Sequence, residues 1–300
     1  MSVEPFEVLA EPTAPRGAAM VHALSGFLDA GGARRIAVEH LLDALEHRTI
    51  AAYDLDASYD YRARRPRMVF DTDHYESLTV PELLLSELVD EEGTPFFLLH
   101  GPEPDFGWDR FSRAVVALVE RYGVGLSVGM NAIPWPAPHT RPVGVTAHAT
   151  QQNLIAGRRA WVGAIEVPGH LAGLVELRLG EAGHAAMGFA VHIPHYLVNV
   201  EHPRAALTLL TEVAGVTGLA LPLDSLREVA DEADRDIDAQ VQANAENVQA
   251  ISALEAQYDA AMSQSAGQVP LVGEEQLPTG DDLAAQVEQF LRDLDQPGRD

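Results

Sequence analysis

Several short stretches carry residue types and spacings that can do chemistry. The longest, SVGMNAIPWPAPHTRPVGVTAHAT from Ser127 to Thr150, places Gly129, Asn131, His139, Thr140 and Arg141 in a proline-rich connection that follows a strand-like run. An amide, an imidazole, a hydroxyl and a guanidinium at the carboxyl end of a strand would suit an anionic or nucleoside-like ligand. More simply, the same loop is a stiff connection in which Trp135 packs inward while His139 and Arg141 bond backbone carbonyls. FDTDHY (Phe70 to Tyr75) offers Asp71, Asp73 and His74, a set able to bind a divalent ion, or to cap a helix and satisfy a turn. In HIPHY, His192 and His195 would point to opposite faces of a strand unless Pro194 breaks it, and the spacing of a zinc protease is missing, so no metal site is expected. HGPEPDFGWDRF sets Glu103 and Asp105 close together, as an acid–base pair or, more simply, with Asp105 as a helix N-cap. LDAGGARR puts two glycines and Arg34 and Arg35 at a helix start, where an anion can be cradled.

Composition removes whole mechanisms. The 300-residue chain has no Cys, which excludes thiol nucleophiles, disulfides and thiolate metal sites. All 20 basic residues are Arg, so a lysine Schiff base, a lysine general base and the usual P-loop have no candidate residue. No cofactor is expected. The net charge of −25 disfavours nucleic acid and anionic membrane surfaces. Residues 221–300 hold 18 of the acids against 4 Arg, so the end of the chain differs in kind from the rest. No apolar run is long enough to span a bilayer, and the first residues lack the basic start and apolar stretch of a signal peptide, which predicts a cytoplasmic protein.

The elements that must position these residues alternate in type. Strands are predicted at Ala18 to Gly26, Thr49 to Leu55, Arg67 to Asp71, Pro95 to Gly101, Val124 to Met130, Ala160 to Val167 and Ala186 to Ile193. Helices are predicted at 33–47, 81–92 (PELLLSELVDEE), 108–123, 169–179 and 203–219. Alternation of this kind predicts an α/β domain over 15–220, a three-layer sandwich around a mostly parallel or mixed sheet. Over 221–262 apolar residues recur at helical spacing, with neither Gly nor Pro beyond Pro222, predicting a long helix or helical hairpin. Its stripe, including Ile237, Val241, Val248 and Ile251, is a candidate subunit interface. Residues 263–282 read as a linker and 283–294 as a short terminal amphipathic helix.

GPEPDFGWDRF, AIPWPAPHTRP and HIPHYL, in that order and joined by this pattern, resemble the bacterial branch of the proteasome assembly chaperone 2-like family. The resemblance covers most of 15–220. It implies a fold similar to the nucleoside phosphorylase and peptidase-like (phosphorylase/hydrolase-like) architecture, assembly of subunits, and no established catalysis. The expectation is a non-catalytic homo-oligomeric scaffold or chaperone-like protein, with a trimer among its forms and proteasome components among its partners. A small-molecule enzyme or ligand-binding protein on the same scaffold is the alternative. Several proteasome-binding relatives end in a hydrophobic residue, Tyr and any residue, whereas this chain ends LDQPGRD, so docking by that route is not expected.

Overall fold

The computed structural model describes residues 5–26, 28–158 and 163–264. An eight-stranded sheet has the order β1-β3-β6-β7-β2-β8-β10-β9, with β1 Phe6–Val8, β2 Ala19–Ser25, β3 His47–Tyr53, β6 Leu84–Val89, β7 Pro95–Pro102, β8 Leu126–Trp135, β9 Val145–Ala149 and β10 Ala186–Pro194. The middle strands β7, β2, β8 and β10 are parallel; every other pairing is antiparallel. A separate hairpin joins β4 Met68–Asp71 to β5 His74–Leu78.

Helices cover both faces, so the layers number three. Along β2, Val21 and Ala23 enter a core with α1 (Ala33–Ala44), α4 (Pro203–Thr217) and α5 (Leu223–Gln242). Met20 and Leu24 face the other way, into a core with α2 (Trp108–Tyr122) and α3 (Leu171–Glu181). That is the period-two consequence of a strand buried on both sides. The α2 helix ends at Gly123, whose φ of 66° suits a residue without Cβ.

Residues 81–92, expected as a helix, form β6 instead. The Leu-rich run suits a helix by propensity, but it lies between β3 and β7, where Leu85, Ser86, Glu87 and Leu88 are buried on both faces. Glu87 is tolerated there because its carboxylate accepts the Thr13 and Ala14 N–H groups at 2.6 Å and pairs with Arg48. Burial weakens the carboxylate while Arg48 and the two N–H groups strengthen it, and the net pKa is lowered. No strand forms at 163–167; residues 160–162 lie outside the described residues, as do 265–282 and 283–294. Ser263 and Gln264, expected to begin a linker, finish α6 (Ala245–Gln264).

The terminal helices are two because Asn244 interrupts them. Its Oδ1 accepts the Glu246 N–H at 2.8 Å, the bond of an N-cap that starts a new helix. The second helix then folds back. Asp238 and Glu255 would lie about 25 Å apart on one straight helix, yet they bond the adjacent residues His139 and Thr140.

Candidate functional site

The loop after β8 gathers a dense set of polar contacts, and its partners are Tyr196 and the terminal helices. The His139 backbone N–H donates to the Tyr196 hydroxyl at 2.7 Å, and that hydroxyl also meets His139 Nδ1 at 2.7 Å. Nε2 faces Asp238 at 3.1 Å. A carboxylate accepts only, so Nε2 is the donor and Nδ1 accepts a hydrogen bond from the tyrosine hydroxyl. Burial raises the Tyr196 pKa to about 12, with the His139 N–H opposing and Glu255 adding to the rise. Arg141 sets Nε and Nη2 on the two oxygens of Asp259 at 2.9 and 2.7 Å and Nη1 on Glu255 at 3.1 Å. The Asp259 hydrogen bonds, ahead of the opposing burial, raise the Arg141 pKa. Thr140 Oγ1 donates to Glu255. The bonds of Arg141 thus go mainly to carboxylates of α6, and those of His139 to Tyr196 and to Asp238 of α5, where backbone carbonyls were the simpler expectation.

Asn131 is not part of this cluster. It stands in β8, half-buried, with Oδ1 accepting the Ala132 N–H. Trp135 stacks on buried His192 with centroids 3.9 Å apart, while His192 Nε2 meets Thr146 Oγ1 at 2.8 Å. His195 lies in the short turn after Pro194. Asp71 and Asp73 sit at the tip of the β4–β5 hairpin, where Asp71 accepts the Thr72 hydroxyl and Asp73 faces His74. Glu103 and Asp105 are held separately. Glu103 Oε2 accepts the Leu171 N–H at the start of α3; Asp105 pairs with Arg64 at 2.7 Å and accepts the Asp60 N–H. Asp105 is not the α2 cap, a position taken by Gly107. The LDAGGARR cradle holds a carboxylate of its own chain, since Asp29 accepts the Arg34 and Arg35 N–H groups at 2.9 and 3.1 Å.

Of the candidate interface residues, Ile237 is buried in the chain's own core rather than held out for a partner. Val241, Val248 and Ile251 are half-buried.

Two features escaped sequence reasoning. The first is a row across the sheet, His22–Gly129–Gly188–His148, in which each glycine makes room for a neighbouring imidazole. His148 Nδ1 faces Glu176 of α3 at 3.0 Å, and His22 is buried with neither ring nitrogen bonded. Burial holds His22 near pKa 4, with Glu176 opposing. Glu176 also lines a cavity of about 360 Å³ between β9 and α3. Among the described residues no group of three His, Asp or Glu is placed to hold a metal ion.

The second is the hairpin. Every residue of β4 and β5 is exposed, with Met68, Phe70 and Tyr75 at 54%, 58% and 68%. Alternation marks a strand in sequence but not whether anything covers it.

Comparison with known proteins fits this architecture. A Mycobacterium tuberculosis protein of unknown function, Rv2714, is 45% identical over 86% of this chain and 92% of its own, with a TM-score of 0.82. A M. tuberculosis proteasome-assembly chaperone homologue, Rv2125, is 28% identical over 77% of this chain and 98% of its own, TM-score 0.71. The Pyrococcus furiosus archaeal proteasome activator PbaB shares the fold at 17% identity, covering 78% of this chain and 97% of its own, TM-score 0.56. A search of curated proteins found no match. The profile of the PAC2 family matches residues 23–241, and with that match the chain belongs to the PAC2 family.

Proposed function

We propose that this protein is a non-catalytic, homo-oligomeric scaffold of the proteasome-assembly-chaperone type, acting in the cytoplasm. Residues 15–220 serve as its α/β body and 221–262 as a helical extension. The β4–β5 hairpin carries this reading. From Arg67 to Val80 every residue is exposed, including Met68, Val69, Phe70, Tyr75, Leu78 and Val80. The two strands pair only with each other, and a lone two-stranded hairpin is marginal in water. A contiguous apolar surface of this kind marks a protein interface. Exposed Arg62, Arg65 and Arg67 stand at its base in a chain of net charge −25, so a second copy offers the complementary field. No helix among the described residues is long and apolar enough to cross a membrane.

The relatives named for proteasome assembly and activation extend the reading to proteasome components as partners of the assembled form. Native mass spectrometry of the full chain tests the first step. A single closed oligomer, a trimer being one form, supports the scaffold; a monomer at micromolar concentration overturns it. Pull-down of proteasome subunits by the oligomer then tests the partner.

A further inference from the structure

The β4–β5 hairpin has two free edges, and they are built differently. Between Val69 and Phe70 of β4 the register against β5 steps from Ser77 to Tyr75, so Glu76 is an extra residue in β5. A bulge and a charge are both devices that protect an edge strand from further pairing. The β4 edge has neither, since Met68, Val69 and Phe70 run without a charge, an extra residue or a proline. No other strand covers that edge among the described residues.

The Arg67 carbonyl accepts the Thr79 N–H at 2.9 Å, so Arg67 turns its main-chain groups toward β5. Val69 and Asp71 are in phase with it, and Met68 and Phe70 therefore turn theirs outward. Side chains alternate as well. Met68, Phe70, Tyr75 and Leu78 share one face by register, with the Phe70 and Tyr75 rings 5.1 Å apart, and Arg67, Val69 and Asp71 share the other. Along the chain Arg65 and Arg67 precede the apolar centre of β4, and Asp71 and Asp73 follow it. Charges in that order complement themselves when the strand is reversed. In an antiparallel pair of two β4 strands centred on Val69, Met68 lies opposite Phe70 and Arg67 opposite Asp71, with Arg65 and Asp73 next outward. Met68 and Phe70 then form the hydrogen-bonded pairs, and the two Val69 residues the closer, non-bonded pair at the centre. Sliding one strand by two residues sets Val69 against Asp71, or else sets Pro66, which has no N–H, against Phe70. A β5 pair centred in the same way would set Glu76 against Glu76.

We infer that β4 pairs with β4 of a second copy about a two-fold axis, joining two hairpins into one four-stranded antiparallel sheet. Four strands with an apolar face meet a condition for stability that two strands alone do not. The contact is self-complementary, each Arg67 facing the second copy's Asp71. This inference rests on the hairpin being a subunit interface, as in the scaffold reading, and adds to it the surface that the hairpin meets, the register and the symmetry.

The chain has no Cys, so a single introduced one reports only its own contact. Val69→Cys in the full chain should give a disulfide-linked dimer under mild oxidation, read on a non-reducing gel, because Cα atoms of a non-bonded pair stand about 4.5 Å apart. Tyr75→Cys should give none. In this sheet its two copies lie three strand spacings apart, about 14 Å, beyond the reach of a disulfide. Both positions are exposed, so neither change disturbs a core. Arg67→Asp should weaken association about tenfold at low salt, measured by sedimentation, and adding Asp71→Arg should restore it by rebuilding the pair with its signs exchanged. An oligomer that Val69→Cys does not cross-link, equal cross-linking at the two positions, a trimer of the unmodified chain, or no rescue by the double replacement overturns the β4 pairing and leaves the scaffold standing. A monomer of the unmodified chain overturns both.

Discussion

Two regions drew attention for their polar residues, and the fold uses them in opposite ways. In the loop at 138–141, the imidazole, hydroxyl and guanidinium close on Asp238, Glu255 and Asp259 of the same chain. In the β4–β5 hairpin, Asp71, Asp73 and His74 only shape the tip, while the apolar residues behind them are held in water. The polar cluster therefore works as internal cohesion, tying the acidic terminal helices to the body. The apolar hairpin is the part left open to a partner. Chemical richness in the sequence pointed to the first, yet the unsatisfied surface is in the second.

The largest effect that would sharpen this contrast is loss of assembly. Joint replacement Phe70→Asp and Tyr75→Asp should convert the oligomer to monomer in native mass spectrometry. The circular dichroism spectrum should stay unchanged, because both side chains are exposed and touch no core cluster. An oligomer of unchanged mass would remove the hairpin from the interface.

The next effect belongs to the body. Burial lowers His22, His100 and His192 to about 4, the neighbouring His47 adding to the shift at His100. The unfolded chain binds protons at these rings from about pH 6.5 downward, so their contribution is complete above that value and is lost as pH falls toward 4. The cost is on the order of 3 kcal/mol per ring at most. Urea titrations between pH 7 and 4.5 should show the midpoint falling, and His22→Gln should flatten the slope. A midpoint independent of pH would contradict the buried neutral rings.

The smallest effect is local. Arg141→Ala removes the two-pronged contact with Asp259 and should raise amide exchange across α6 by about tenfold, leaving the native mass unchanged. Loss of the oligomer in this variant would erase the distinction between the two regions.

The difference in legibility has the same physical origin. Elements with a clean period, such as β2, α1, β7, α2 and α4, could be read directly, because burial on one or both faces is written into the spacing of apolar residues. Residues 81–92 misled because Leu suits either state and the decision lay with β3 and β7, both distant in sequence. The helix break fell at Asn244, one of two asparagines in a run without Gly or Pro, and only its side-chain bond to the Glu246 N–H distinguishes it from Asn247. Site residues were legible as types but not as partnerships. Nothing near Arg141 in sequence announces Asp259, and nothing near Glu87 announces Thr13.

The contrast is tested most directly by hydrogen exchange on the unmodified protein at high and at low concentration. Amides of residues 68–78 should be protected in the concentrated sample and exchange freely on dilution, while 138–141 and α6 keep the same protection in both. Hairpin amides that ignore concentration, or loop amides that follow it, would contradict the account.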